Sequence, residues 1–333
     1  MFFFFILIFS TLISISSNSW FGCWIGLEIN LLSFIPLISN SNNLLSSEAS
    51  LKYFLTQSIA SINFLFMILL NLIIMKNYFK FFNEYNIISM MINSSLLMKM
   101  GSIPFHFWFI NIVEGLSWLN CFILMTWQKI TPIILLSYYF NYNLLMFILI
   151  MNVIIGAVGG INQTSIRKLM TFSSINNLGW MISSIMISEN LWMFYFFMYS
   201  IMISTLCFLF YLFNLFFFNQ MFMFNVNYII KIYFLVNFLS LGGLPPFIGF
   251  FPKWIIINFL MMNNMFIITF IFTLSSLIML YFYIRILYSS FLFNYLKIKW
   301  LKNYMKYNLI FYIISFMSMM SISGMILSTF FFF

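Results

Sequence analysis

Charged side chains are so sparse along this chain that no fold could be wetted on every side. Only 6% of the 333 residues are charged, and 64% are hydrophobic. A soluble domain carries about 25% charged residues, and a soluble fold of this size lacks the polar groups here to cover its surface. Lipid removes the difficulty, because apolar side chains can then face outward. Each bilayer crossing needs roughly 20 mainly apolar residues. The runs predict about eleven spans, near 2–17, 20–39, 51–75, 87–109, 121–139, 143–161, 168–187, 191–217, 229–249, 263–290 and 308–330. The expected fold class is therefore all-α, a polytopic membrane protein in a single membrane domain over 1–333.

Met1–Ser17 is apolar with no basic leader, so it reads as a first membrane helix rather than a secretory signal. With no targeting segment to read, the expectation is a protein made where it is inserted. Residue bias agrees. Phe reaches 49 and Met 27, whereas Ala occurs three times, Val five times and Asp not at all. Membrane composition alone would favour Leu, Ala and Val. An AT-rich mitochondrial genome that reads ATA as Met would give the pattern seen, which predicts a mitochondrial inner-membrane protein.

The formal net charge of +9 would suggest nucleic acid in a soluble domain. Here the cations fall in short loops, so they read as topology signals and anionic-lipid contacts such as cardiolipin, with no nucleic acid. Lys52, Arg167, Lys168, Lys231, Lys297, Lys299, Lys302 and Lys306 lie on the N-terminal side, against Lys76 and Lys80 with Glu84 on the other. This places the N-terminus in the matrix and the C-terminus in the intermembrane space. Cys23, Cys121 and Cys207 are isolated, with no spacing for zinc, haem or iron–sulfur. No metal site is expected. Gly156-Ala-Val-Gly159-Gly160 does not match a dinucleotide fingerprint and reads as small residues that let helices approach.

Two spans are interrupted. One reads Lys99-Met-Gly101-Ser-Ile-Pro104-Phe105-His106-Phe-Trp108, the other Gly243-Leu-Pro245-Pro246-Phe247-Ile-Gly249-Phe-Phe-Pro252-Lys253-Trp254. Both contain Gly-x-x-Pro-Phe. Proline removes a backbone donor and breaks helix. Unwound backbone in a bilayer must be covered by protein or line water. Matched breaks in two halves of a chain point to a transport site and an internal repeat. Repeat one is expected over about 20–139, repeat two over about 143–290, and a final helix over about 308–330.

Four charges fall inside or beside spans: Glu28, Lys99, Lys129 and Lys253. Lys99 lies about 18 Å into its span at 1.5 Å per residue. Each central charge costs roughly 2.5–3.5 kcal/mol on insertion scales, so four unpaired ones would cost on the order of 10–14 kcal/mol. Such groups pair, face water or mark an ion path. For the lysines the alternative is snorkelling to an interface, plausible for Lys253 and poor for Lys99 and Lys129. For Glu28 it is a structural ion pair. A row of lysines whose proton affinity is moved by burial and by a nearby carboxylate suits proton movement. His106, beside Pro104, is a candidate relay or a structural group in an aromatic cluster. Glu48 and Lys52 are spaced as a surface helix pair.

Several segments carry a resemblance: Ser19–Phe34 around Glu28, Glu48–Gln57, Lys99–Trp108, Thr126–Lys129, Gly159–Lys168, Phe172–Asn176 and Leu239–Trp254. In this order, over about residues 18–295, the chain resembles the antiporter-like subunit 2 family of mitochondrial NADH:ubiquinone oxidoreductase, respiratory complex I, in its insect-like form. The resemblance implies two inverted five-helix repeats, each with a Gly/Pro-broken helix at Gly101 and Pro104 or at Gly243, Pro245 and Pro246. It implies a proton-translocation set of Glu28, the broken-helix Lys99, the connecting Lys129 and the terminal Lys253. It implies that NADH, FMN, iron–sulfur clusters and ubiquinone are bound by other subunits and none by this chain. The implied partners are the other membrane-arm subunits, including the antiporter-like subunit 4 and the small subunit 4L. Many relatives carry His where this chain has Asn177, which cannot titrate. The readings left open are a proton-translocating subunit of the redox enzyme, a non-conducting scaffold, and an independent cation/proton antiporter.

Overall fold

A backbone inside hydrocarbon has no water to bond, so each crossing segment must satisfy its own N–H and C=O groups as helix. The computed structural model of the chain describes residues 2–40, 43–76, 82–222, 228–292, 315–316, 318–319 and 321–322. Among these the architecture is helical, and its one extended feature is an isolated bridge between Ser165 and Phe217. Two compact units divide the chain, Met1–Leu149 and Ile150–Phe333.

In the first unit, α1 (Phe2–Ser16) and α2 (Trp20–Ile38) form a close pair. Small residues make this possible: a Cβ on Gly26 would lie 2.7 Å from that of Ser14. Ser19 starts α2, its hydroxyl accepting from the Gly22 N–H. Helix α3 (Leu44–Lys76) runs 33 residues, about 50 Å at 1.5 Å per residue. That exceeds a hydrocarbon core of roughly 30 Å, and its first turns carry the exposed Glu48–Lys52 ion pair. Helix α4 (Phe82–Met100) stops at Gly101, and the short α5 (Phe107–Val113) follows. Then come α6 (Trp118–Met125) and α7 (Trp127–Tyr138). Helix α8 (Tyr142–Gly160) carries the chain from one unit into the next.

The span expected over 121–139 is thus two helices meeting at Thr126. The Thr126 hydroxyl donates to the Phe122 carbonyl at 2.7 Å, a local bond that bends helices.

The second unit holds α9 (Ile166–Ile187), α10 (Glu189–Phe213), α11 (Phe218–Phe222), α12 (Tyr228–Gly242), α13 (Phe250–Met262) and α14 (Phe266–Leu292). Helix α9 is buried without interruption from Leu169 to Ser184, although it carries Thr171, Ser173, Ser174, Asn176, Asn177, Ser183 and Ser184. Its hydroxyls bond back to its own carbonyls. The polar helix lies inside and apolar faces look outward, the arrangement a lipid solvent favours. Gly156 and Gly159 serve the close approach of α8 to α9, since a Cβ at Gly156 would lie 2.7 Å from the Asn176 nitrogen.

Among the described residues six helices are long and apolar enough to cross a membrane, and four shorter apolar helices accompany them. Residues 250–262, expected to link two spans, instead form α13, because the Gly/Pro cluster ends one helix and lets another begin. The final helix expected over 308–330 lies mostly outside the described residues, as do Lys297, Lys299, Lys302 and Lys306 and the side chains of Lys76, Lys80 and Glu84.

Candidate functional site

The two breaks close in the same way. Gly101 has φ 69° and Gly243 has φ 82°, in the left-handed region where a Cβ is costly. At the first break the Ser102 N–H donates to the Leu97 carbonyl at 3.1 Å and the Gly101 N–H to Met98 at 3.2 Å. At the second, Leu244 donates to Leu239 at 3.3 Å and Gly243 to Ser240 at 3.1 Å. Both are Schellman closures, a six-to-one and a five-to-two bond around a left-handed glycine. Each leaves the last two helical carbonyls, those of Lys99 and Met100 or of Leu241 and Gly242, without a donor from their own helix.

What finishes those carbonyls differs. In the second unit the Lys253 ammonium donates to Leu241 O and to Gly242 O, both at 3.2 Å. It also lies 5.8 Å from the centre of the Trp180 ring. A cation at a helix C-terminus meets the negative end of the dipole, worth up to ~2 kcal/mol when partly buried. Hydrogen bonds from a charged donor add about 1.5–3 kcal/mol each. Together these offset the roughly 2.5–3.5 kcal/mol that burying a lysine in a membrane costs. Gly249 brings α13 close: a Cβ there would stand 1.8 Å from Ser240 O. The Ile248 N–H donates to Ser321 O at 3.0 Å.

In the first unit a neutral donor does this work for the Lys99 carbonyl, and a second neutral donor meets a carbonyl of the turn itself. Gln57 of α3 donates to Lys99 O at 3.2 Å, and the Trp108 indole donates to Met98 O at 3.1 Å. Lys99 itself is 7% exposed and lies within the field of the half-buried Glu28 carboxylate. It lines a small cavity with Asn30, Tyr53, Gln57, Gln128 and Thr131. The cavity offers about 10 Å³ to the centre of a water molecule, about what one water needs. Gln128 of α7 donates to the Asn30 side chain of α2 at 2.9 Å, two residues beyond Glu28.

Lys129 is 1% exposed, on the first turn of α7, and lies 5.4 Å from the centre of the Phe109 ring. His106 is buried at the start of α5, its Nδ1 3.3 Å from the Pro104 carbonyl and its ring 4.2 Å from that of Phe107. Pro104, Pro245 and Pro246 are exposed on the chain itself. Glu28, Lys99, Lys129 and His106 thus belong to the first unit, around its break, and Lys253 belongs to the second.

Asn177 accepts a hydrogen bond from the Tyr195 hydroxyl at 2.8 Å and donates to Ser173 O at 2.9 Å. This ties α9 to α10 with neutral groups. Nothing in the sequence alone marks the roles of Gln57, Trp108 and Trp180. The available signal for Gln57 was an amide within an apolar span, which must find a partner there. No group of three or more His, Cys, Asp or Glu side chains that could hold a metal occurs among the described residues.

Comparison with known proteins agrees in sequence and in fold. Residues 17–279 match the family described as NADH:quinone oxidoreductase/Mrp antiporter, transmembrane. NADH-ubiquinone oxidoreductase chain 2 of Anopheles gambiae is 54% identical over 301 residues, 89% of this chain and 87% of that protein. The Aedes aegypti protein of the same name is 49% identical over 331 residues, 98% of this chain and 96% of that one. A chain of respiratory complex I from Thermus thermophilus superposes with a TM-score of 0.82 at 17% identity, covering 97% of this chain and 77% of the other. With most of its length matched on both counts, the chain belongs to the NADH:quinone oxidoreductase/Mrp antiporter transmembrane family, among the NADH-ubiquinone oxidoreductase chain 2 proteins.

Proposed function

We propose that this chain is a membrane subunit of mitochondrial NADH:ubiquinone oxidoreductase that helps move protons while electron transfer proceeds in other subunits. The observation that carries the reading is the first break: a buried lysine, Lys99, lines a small cavity of mixed polar and apolar walls within the field of Glu28. A purely apolar packing interface would need neither group, and each costs several kcal/mol to hold in a membrane. Lys129 continues the set on α7, whose Gln128 and Thr131 line the same cavity. In this reading Glu28, Lys99, Lys129 and Lys253 form the proton-translocation set, two inverted repeats supply the matched breaks, and His106 is an optional relay. NADH, FMN, iron–sulfur clusters and ubiquinone belong to partner subunits. The neighbours are other membrane-arm subunits, an antiporter-like subunit 4 and a small subunit 4L among them, with anionic phospholipid at the basic loops. The N-terminus faces the matrix and the C-terminus the intermembrane space.

Lys129→Met tests this. The complex should assemble and oxidise NADH, but move fewer protons per electron pair across sealed vesicles. An unchanged ratio would favour a non-conducting scaffold. Sodium or proton flux through the isolated chain in liposomes, with no redox partner, would favour an independent antiporter.

One observation supports a second reading for a single member of the set. Lys253 caps its own broken helix through two carbonyls, so part of its function is structural.

A further inference from the structure

The carbonyl of Lys99 and that of Leu241 hold the same place in the two Schellman closures, the last helical residue before the cap. One receives a neutral amide, Gln57, and the other a cation, Lys253. A lysine near a helix C-terminus readily turns onto the last open carbonyls. Lys99 stands at such an end, and only with its own carbonyl open would the first break offer an ammonium the pair of adjacent carbonyls that holds Lys253 at the second.

We propose that Gln57 is a positioning residue: by capping the first broken helix with a neutral donor, it keeps the Lys99 ammonium off the helix end and leaves it free to respond to Glu28. Gln57 is suited to this. It is buried, it comes from a different helix, and it lines the same cavity as Lys99. It adds no charge that would compete with Glu28. A cation in its place would finish the helix equally well but would repel Lys99. The difference between the two caps thus separates a lysine spent on closure from a lysine left to exchange its partner. The functional half of this inference rests on the proposed proton path, and the structural half does not.

The test uses the assembled complex carrying Gln57→Met, which keeps the length and removes the donor. A density map should show the Lys99 side chain turned back toward the carbonyls of Lys99 and Met100. Protons moved per electron pair should fall to the value of Lys99→Met. In a Lys99→Met background Gln57→Met should cause no further fall, because Gln57 acts through Lys99; mere space filling would not give that pattern. A Lys99 side chain that keeps its place in Gln57→Met overturns the inference. So does an unchanged proton ratio where Lys99→Met alone lowers it. If Lys99→Met alone changes nothing, the proton path fails, and the position of Lys99 still decides the positioning role. Should Gln57→Met not assemble, Gln57→Lys in a Lys99→Met background, where no second cation is repelled, decides: assembly restored by a donor supports the cap, and failure of both overturns it.

Discussion

At residue 101 and again at residue 243 the chain ends a helix with the same glycine, the same backbone bonds and the same Pro-Phe exit. The two ends are then completed by opposite chemistry. Gln57 and Trp108 share the first end between two neutral groups, while Lys253 alone closes the second with a charge. The pentapeptide encodes the turn, which is local. The charge state of the finished end is set by a side chain from another helix, which is not. The lysine nearest the first glycine is therefore not used as its cap, and the lysine nearest the second is. Ten residues past Gly101 stands Asn111, where the second break has Lys253; two residues before Gly243 stands Leu241, where the first has Lys99.

The comparison breaks most severely at Gly249. A Cβ there would enter the Ser240 carbonyl at 1.8 Å, and a backbone atom cannot give way as a flexible side chain can. The corresponding offset from Gly101 falls on Phe107, which is 69% exposed. Gly249→Ala should abolish assembly of the complex on native gels, while Phe107→Ala should assemble normally. Equal tolerance at both positions would show that the close approach at Gly249 is not required and that the two breaks do not differ after the turn.

The next largest effect separates the lysines. Lys253→Met leaves two carbonyls without their donor and should destabilise the second unit by about 3 kcal/mol, from bonds worth roughly 1.5–3 kcal/mol each. Lys99→Met removes a buried charge that closes no helix end, and should change the first unit by less than Lys253→Met changes the second. Buried thiols report the units separately, Cys121 in the first and Cys207 in the second. Their maleimide labelling against temperature should move by several degrees for Cys207 in Lys253→Met and by less for Cys121 in Lys99→Met. If Lys99→Met gave the larger shift, Lys99 would be the structural cation of the pair.

These differences mark where the sequence was readable. Both breaks follow from Gly, Pro and their spacing, because a left-handed glycine and a missing N–H act within one turn. The buried charges were equally plain, since a lysine in an apolar run has a cost that calls for a reason. The bend at Thr126 was not read, because a hydroxyl bond to the preceding turn is optional for threonine. The span at 168–187 was legible as a helix, but its continuous burial was not, because hydroxyl and amide side chains mark an exposed face until they bond to their own helix. Least readable was the choice of Gln57 over Lys99's own ammonium as the cap. It depends on α3 lying against α4, a contact between residues 42 positions apart.

The smallest effect tests whether two neutral donors make the first end more tolerant than the second. Trp108 donates to Met98 O, yet that carbonyl also accepts from the Gly101 N–H. Removing the indole therefore leaves no open acceptor, and the loss should sit at the low end of the usual 0.5–1.5 kcal/mol for a neutral bond. The ring also packs against Tyr53, 6.2 Å between centres, and phenylalanine keeps most of that contact. Trp108→Phe should shift Cys121 labelling by about 1–2 °C, half the ~2–4 °C expected from 1 kcal/mol in a unit of this size. It should leave Cys207 unmoved. A shift as large as that of Lys253→Met would mean that the first end also hangs on a single donor. The neutral cap would then be as fragile as the charged one, and Gln57 could not hold the helix end by itself while Lys99 remains free.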